Sequence, residues 1–304
     1  ETASIDISRR EVIVFCADNG VAVQGVTQSD SAVTALLTSY LVPRRTSVCV
    51  MAQAVSCEVL PVDMGVLDYA GDPGVLDRRI GNGTRDMSVG PAMTRTQALK
   101  GIQCGIELVE REQKRGVHLL ATGEIGMGNT TSAAAVACAL LGEDPTGMVG
   151  RGAGLSDEGL KRKISAVRQA LLCNADLLDD PVGILAAVGG FDIAAMVGVF
   201  LGGALYKVPV LIDGLISSVA ALVAYRMAPV CHKAMLASHI SSEPAAERVL
   251  AALSLKPLIC AEMRLGEGTG AVCAIPLLDM ALAVYRDPLT YGALDLASDG
   301  GEPC

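Results

Sequence analysis

Five short aliphatic runs punctuate the chain, at Val12–Phe15, Glu58–Val62, Val117–Leu120, Ile184–Val188 and Val208–Ile212, and segments of helical length separate most of them. This alternation constrains the fold more than any other feature. Short β-branched runs joined by helical crossovers build βαβ units around a mostly parallel sheet, so the expected class is α/β. All but the second run are followed within a few residues by glycine or a carboxylate. In open parallel sheets ligands sit beyond the carboxyl ends of the strands, which makes those following residues the places to look for function. Two helices are legible between the runs. Thr94–Gln113 aligns Ala98, Ile102, Ile106, Leu108 and Val109 on one face, and Ser156 caps a helix that opens with Asp157 and Glu158 and continues through Leu172. Val42–Arg45 reads as a break in a helical region, and residues 288–304 as a loose polar tail.

Composition narrows the function classes. The 304 residues are 51% hydrophobic but only 3% aromatic, with no Trp and 33 glycines, so the core is aliphatic and closely packed. That excludes a disordered chain and an aromatic platform for single-stranded nucleic acid, and the net charge of −9 disfavours polyanion binding. Ten cysteines contain no CxxC pair and mostly lie in apolar runs, the pattern of reduced thiols in a cytoplasmic protein without a zinc site. Mean hydropathy is +0.44. The apolar stretches Gly126–Gly142 and Gly183–Tyr225 nevertheless read as buried core, the first being short and the second interrupted by Asp192, Lys207 and Asp213. No signal peptide is visible, and the strand-like run so soon after residue 1 leads us to expect that a natural N-terminal segment is missing.

Three glycine-rich loops carry the chemistry. Thr122–Thr131, after the third run, has Gly123, Gly126 and Gly128 to let backbone amides approach an anion, with Asn129, Thr130 and Thr131 opening a helix. Glu124 in that loop repels phosphate and suits a ribose hydroxyl or a cationic ring instead. Gly150–Gly154 is a second such loop, in which Gly152 can approach an anion and Arg151 either anchors a phosphate or pairs with a surface carboxylate. Lys163, one helical turn further on, is by default a solvated lysine. The third loop, Met263–Gly270, sets Glu267 between Gly266 and Gly268. Burial there suits a general base, and from the residues alone a helix-capping role is the stronger alternative. The histidines at 118, 232 and 239 show no metal-ligand spacing. His118 is placed in a strand with a structural role, and His239, in Ala-Ser-His-Ile-Ser-Ser-Glu-Pro, can reach a site although a lone His is more often structural.

Taken in order, Ala17–Ala22, Gly81–Asp86, Gly90–Arg95, Gly123–Thr131, Val149–Gly154, Gly189–Asp192, Asp213–Ser217, Ser238–Pro244 and Arg264–Gly270 resemble the nicotinate-nucleotide–dimethylbenzimidazole phosphoribosyltransferases. The resemblance spans roughly residues 10–290. It implies a Rossmann-like three-layer sheet with helices on both faces, plus a smaller helical subdomain from roughly residues 25–50 and the C-terminal segment, all in one phosphoribosyltransferase unit that works as a dimer. The implied reaction moves ribose 5-phosphate from nicotinate mononucleotide to an aromatic base of a cobamide lower ligand, with inversion from β to α. Carried over by position, Glu267 is the general base, Glu124 and Gly126 lie against the ribose phosphate and anomeric region, and Lys163 is close to the active site. Asn129, Thr130 and Ser241 hold the nucleotide, with Gly123, Gly128, Gly152, Asp213, Gly266 and Gly268 in the same matching segments. No metal or redox cofactor is implied, because the departing nicotinate leaves from a pyridinium and needs no acid.

Three departures bear on the substrate. Asn19 stands where the family has His, Thr27–Asp30 replaces a Ser-x-x-Pro stretch, and Leu36 replaces a glutamine near the base. Loss of that amide and a more apolar wall point to the phenol- or p-cresol-activating branch, which pairs two paralogous subunits. Two other readings stay open: a non-catalytic subunit of a hetero-oligomer, and a nicotinamide-dinucleotide oxidoreductase, against which the third glycine of the fingerprint is absent.

Overall fold

The computed structural model describes residues 4–287. In chain order it contains β1 (Arg10–Ala17), α1 (Ala32–Leu41), α2 (Ser47–Ala54), β2 (Glu58–Gly65), β3 (Leu76–Asp77), α3 (Arg95–Lys114), β4 (Leu119–Ile125), α4 (Asn129–Leu141) and α5 (Asp157–Cys173). There follow α6 (Pro181–Val188), α7 (Phe191–Tyr206), β5 (Val210–Ile212), α8 (Leu215–Met227), β6 (Met235–Ala237), β7 (His239–Ser241), α9 (Ala246–Ala252), β8 (Ile259–Met263) and α10 (Thr269–Arg286). The polar tail expected at 288–304 lies outside the described residues.

Six strands pair in the order β3-β2-β1-β4-β5-β6, all parallel, and β7 and β8 make a separate parallel pair. The α/β expectation with a parallel sheet therefore holds. The strand order reverses between β1 and β4, the switch point beyond which such sheets open a crevice. β1 shows why the sheet has two covered faces. Val12 to Ala17 are all fully buried, with Ile13, Phe15 and Ala17 packed toward α3, α4, α6, α7 and α8, and Val12, Val14 and Cys16 toward α1, α2 and α10. A strand buried on both sides has no alternation to read, only a continuous apolar run. The chain's three phenylalanines, Phe15, Phe191 and Phe200, all lie in the larger core.

Local signals explain most element boundaries. Thr94 and Gln97 form a reciprocal capping box at the start of α3, and Ser156 accepts from Gly159 N at the start of α5. The break at Val42–Arg45 is the turn between α1 and α2. One expected strand is wrong: Ile184–Val188 is the end of helix α6. Asp180 caps that helix by accepting from the Val182 and Gly183 amides, and Pro181 occupies its first turn. Every residue from Val182 to Val188 is buried, so the helix carries no polar face and its pattern is indistinguishable from that of a buried strand. His118 likewise precedes β4 rather than lying within it, and pairs with Asp6 at 3.1 Å.

The helices α3 and α7 meet closely through Gly105 and Gly198. A Cβ on Gly198 would strike the Ile102 carbonyl oxygen and one on Gly105 the Ala195 carbonyl, backbone atoms that cannot step aside. Gly198→Ala should cost about 2–3 kcal/mol by overpacking and lower Tm by roughly 3–5 °C. An unchanged melting curve would show that the helices separate without cost.

Candidate active site

The carboxyl ends of β4, β5, β7 and β8 surround a cleft of about 270 Å³. Three helices begin at its wall, α4 with Asn129 and Thr130, α8 with Leu215 to Ser217, and α10 with Thr269. Their positive dipole ends converge on one space, a setting that favours an anion without a cluster of cationic side chains.

β4 is longer than its aliphatic run suggests. Gly123 and Glu124, expected in a loop, are ladder residues opposite Val14 and Phe15 of β1. Gly123 has no room for a side chain, because the Glu267 carbonyl and the Gly268 nitrogen pass directly over its Cα. The crossing backbone is held in the left-handed region through three residues in a row, Gly266 at φ 78°, Glu267 at φ 63° and Gly268 at φ 96°. A glutamate at positive φ is unfavourable, and such strain concentrates at functional sites. Glu267 is fixed at its far end as well: its Oε2 accepts from Val48 N at 2.9 Å, in the first turn of α2. Of the two sequence readings, the capping one appears in altered form, since the carboxylate satisfies a helix start, although that of α2 rather than its own. Burial raises its pKa, and the Val48 and Ser47 amides pull it back down.

Glu124 accepts a hydrogen bond from Asn129 Nδ2. Burial, then the charges of Asp192 and Asp213, push its pKa well above the ordinary carboxylate value. Asp213 accepts from Ala271 N at 2.9 Å and lies 4.0 Å from His239 Nδ1. Its pKa is raised by burial, against which His239 acts. Across the cleft, Gly152 N donates to Glu243 Oε1 at 2.9 Å, while the other oxygen of Glu243 is buried without a partner.

Of the residues singled out from sequence, Glu124, Gly126, Asn129, Thr130, Gly152, Asp213, Ser241, Gly266 and Glu267 line this cleft together. Gly123 and Gly268 lie beneath them at the crossing, and Gly128 caps α4 at φ 88°. Two residues sit elsewhere. Leu36 is 50% exposed and does not line the cleft, whereas Leu37 does, because one step along α1 turns a side chain by about 100°. Thr27 borders a second cavity with Asp18, Asn19 and Asn82. Asn19 is also buried there, accepting from Ser132 Oγ at 2.8 Å. Arg151 takes the surface-pair reading, bonded to Asp157 and to the Leu155 carbonyl. Sequence reasoning missed Leu37 and Glu243; His239, which it allowed to reach a site, lines the cleft as well. A Ser-Ser-Glu-Pro turn directly after a short strand was the available signal for Glu243.

Lys163 corrects its default reading as a solvated lysine. It is fully buried, donates to Thr130 Oγ1 at 2.8 Å, and its pKa falls to about 8 through burial, which the charge of Glu243 opposes. Its amine lies under the Gly152 loop, 3.4 Å from where a Cβ on Gly152 would stand. The folded side chain holds its proton less tightly than the unfolded one. Between pH 8 and 10.5 the unfolded chain therefore binds more protons, and stability rises with pH. Measured by denaturant unfolding against Lys163→Met, wild type should gain about 3 kcal/mol across that window. A difference that stays flat with pH would contradict a buried, proton-shedding amine.

Comparison with known proteins agrees with this architecture. A family model described as phosphoribosyltransferase matches residues 1–292. The nicotinate-nucleotide–dimethylbenzimidazole phosphoribosyltransferase of Ruminiclostridium cellulolyticum is 44% identical over 286 residues, 94% of this chain and 81% of that protein. The protein of the same name from Acetivibrio thermocellus is 43% identical over 285 residues, again 94% and 81% of the two chains. The crystal structure of CobT from Thermus thermophilus superimposes with a TM-score of 0.91 at 38% identity, covering 96% of this chain and 88% of that one. With its parallel sheet, its switch-point cleft and these relatives, the chain belongs to the nicotinate-nucleotide–dimethylbenzimidazole phosphoribosyltransferase family.

Proposed function

We propose that the cleft transfers ribose 5-phosphate from nicotinate mononucleotide to 5,6-dimethylbenzimidazole, giving an α-ribosyl nucleotide for cobamide lower-ligand assembly. The observation that carries this reading is the pair of carboxylates Glu267 and Glu124, far apart in the sequence, on one wall of a cleft into which three helices begin. The phosphate fits the side formed by Thr130, Gly152 and Ser241, with Lys163 behind them. It would take over the Gly152 amide that Glu243 now occupies. The ribose then lies toward Glu124 and Gly126, and the base toward Leu37 and Glu267.

In that pose the lone pair of one benzimidazole nitrogen attacks the anomeric carbon from the α face as the bond to nicotinate breaks. The departing electron pair neutralises the pyridinium ring, so no acid is required. The proton on the other benzimidazole nitrogen passes to Glu267, whose raised pKa brings it toward working pH. In that pose Asp213 faces the positive charge that develops on the ribose in the transition state, and Glu124, held toward its neutral form, lies against a ribose hydroxyl.

The phenol preference expected from Leu36 loses its support, since that side chain does not line the cleft. The curated relatives above are named for dimethylbenzimidazole. The dimer implied by the family resemblance is supported by an exposed apolar stripe on α10, where Met280, Val284 and Tyr285 are each more than half exposed beyond a buried first half. Among the described residues, α10 is also the one helix long and apolar enough to cross a membrane by length and composition, and its packed N-terminal half favours an interface instead. The unpaired cysteines fit a cytoplasmic setting.

Glu267→Gln should lower kcat by about 10²- to 10³-fold while KM for nicotinate mononucleotide stays within about threefold. Undiminished turnover of an intact hetero-oligomer carrying that substitution would favour a non-catalytic subunit. In competition between 5,6-dimethylbenzimidazole and phenol, the purified enzyme should consume the benzimidazole. Preferential use of phenol would restore the branch with two paralogous subunits.

A further inference from the structure

Behind the cleft wall, a second buried carboxylate faces Glu124 across a single amide. Asn129 Nδ2 donates both to Glu124 and, at 3.3 Å, to Asp192 Oδ2. Asp192 is fully buried in the first turn of α7, and its carboxylate accepts from the Ile193 amide. Its Oδ1 is buried without a side-chain partner, and Asn19 Nδ2 is buried with none. Oδ1 of Asp192 and Oδ1 of Asn19 border the same face of Gly190, where a Cβ would touch both. A carboxylate sealed in the core without a cation is costly, and its retention calls for a role.

We propose that Asp192 is a positioning residue for the reaction: through the Asn129 carboxamide it fixes which oxygen of Glu124 accepts a hydrogen bond and opposes negative charge on that glutamate. The geometry does both. Holding one Asn129 N–H on Asp192 aims the second at Glu124 Oε2. Glu124 Oε1 is then left on the side of Gly266, 3.3 Å from where a Cβ there would stand, and a proton on Glu124 resides on that cleft-side oxygen. Asp192 is the foremost of the charges acting on Glu124, ahead of Asp213 after β5 and Glu267 before α10. On its own other sides Asp192 faces Asp18 and Cys16 from the β1 strand and its end. This role rests on the phosphoribosyl transfer proposed above.

Two variants separate position from charge. Asp192→Asn keeps an acceptor for Asn129 and offers its new N–H to Asn19 Oδ1, removing charge alone. Asp192→Ala removes both. In Asp192→Asn, difference infrared titration of the Glu124 carboxyl, assigned with Glu124→Gln, should show its pKa lowered by about one unit. The limb of the kcat/KM pH profile that Glu124→Gln abolishes should move down by the same amount, with Tm within about 3 °C of wild type. Asp192→Ala should reduce kcat about tenfold or more through the freed amide, with KM for nicotinate mononucleotide little changed. An unmoved Glu124 titration in Asp192→Asn, or full kcat in Asp192→Ala, overturns the proposal. The infrared arm needs no turnover, so a wild-type enzyme lacking phosphoribosyl transfer would refute the function and leave the Asp192–Glu124 coupling separately tested.

Discussion

The Glu267–Gly268 peptide crosses the Cα of Gly123 with no space between them, and the active site depends on that crossing. β4 belongs to the central sheet, paired with β1, while Glu267 belongs to the loop that launches α10. Their contact brings the candidate base to the strand that carries Glu124. Each partner of the contact is locked. Gly123 is held by the ladder, and Glu267 by the first turn of α2 at one end and the start of α10 at the other. The left-handed backbone at Glu267 is the cost of making the approach, and packing on both sides of the sheet sustains it.

Electrostatics follow from the same arrangement. The half-buried Glu124 and the buried Asp192 and Asp213 lie close together in a chain of net charge −9, a combination hostile to an anionic substrate if side-chain charge alone decided. The helix starts of α4, α8 and α10 and the buried amine of Lys163 supply the opposing potential. Burial, in turn, moves the site's titrating groups toward neutrality: Asp192 is pushed up to about 6 and Lys163 down to about 8. In the proposed pose a phosphate would meet backbone dipoles before any acidic side chain, which makes protein acidity compatible with an anionic substrate.

Much of this was legible from residue order alone. The strand runs pointed to the sheet, Thr94 and Ser156 marked two helix starts, and the three glycine loops held Glu124, Asn129, Gly152 and Glu267, which share the cleft. What escaped did so for physical reasons. α6 is buried all round, so its periodicity is silent, and only the Asp180-Pro181 cap betrayed a helix. The rotation between Leu36 and Leu37 lies below the precision with which a motif can place a side chain on a helix. Lys163 looks like a surface residue because nothing adjacent in sequence announces the Gly152 loop that covers it. Asp192 sits in an apolar stretch whose carboxylate reads as an interruption until Asn129 and Glu124 are seen beside it.

The crossing of Gly123 by the Glu267 loop makes one spatial claim: a single nucleotide lies with its phosphate at the Gly152 side and its anomeric carbon between Glu124 and Glu267. A crystal soaked with nicotinate mononucleotide tests it directly. Phosphate oxygens should lie within hydrogen-bond reach of the Gly152 amide and Thr130 or Ser241, with Glu243 displaced and the ribose facing Glu124. A nucleotide found in the cavity beside Thr27, or bound with its ribose turned away from both glutamates, would contradict it.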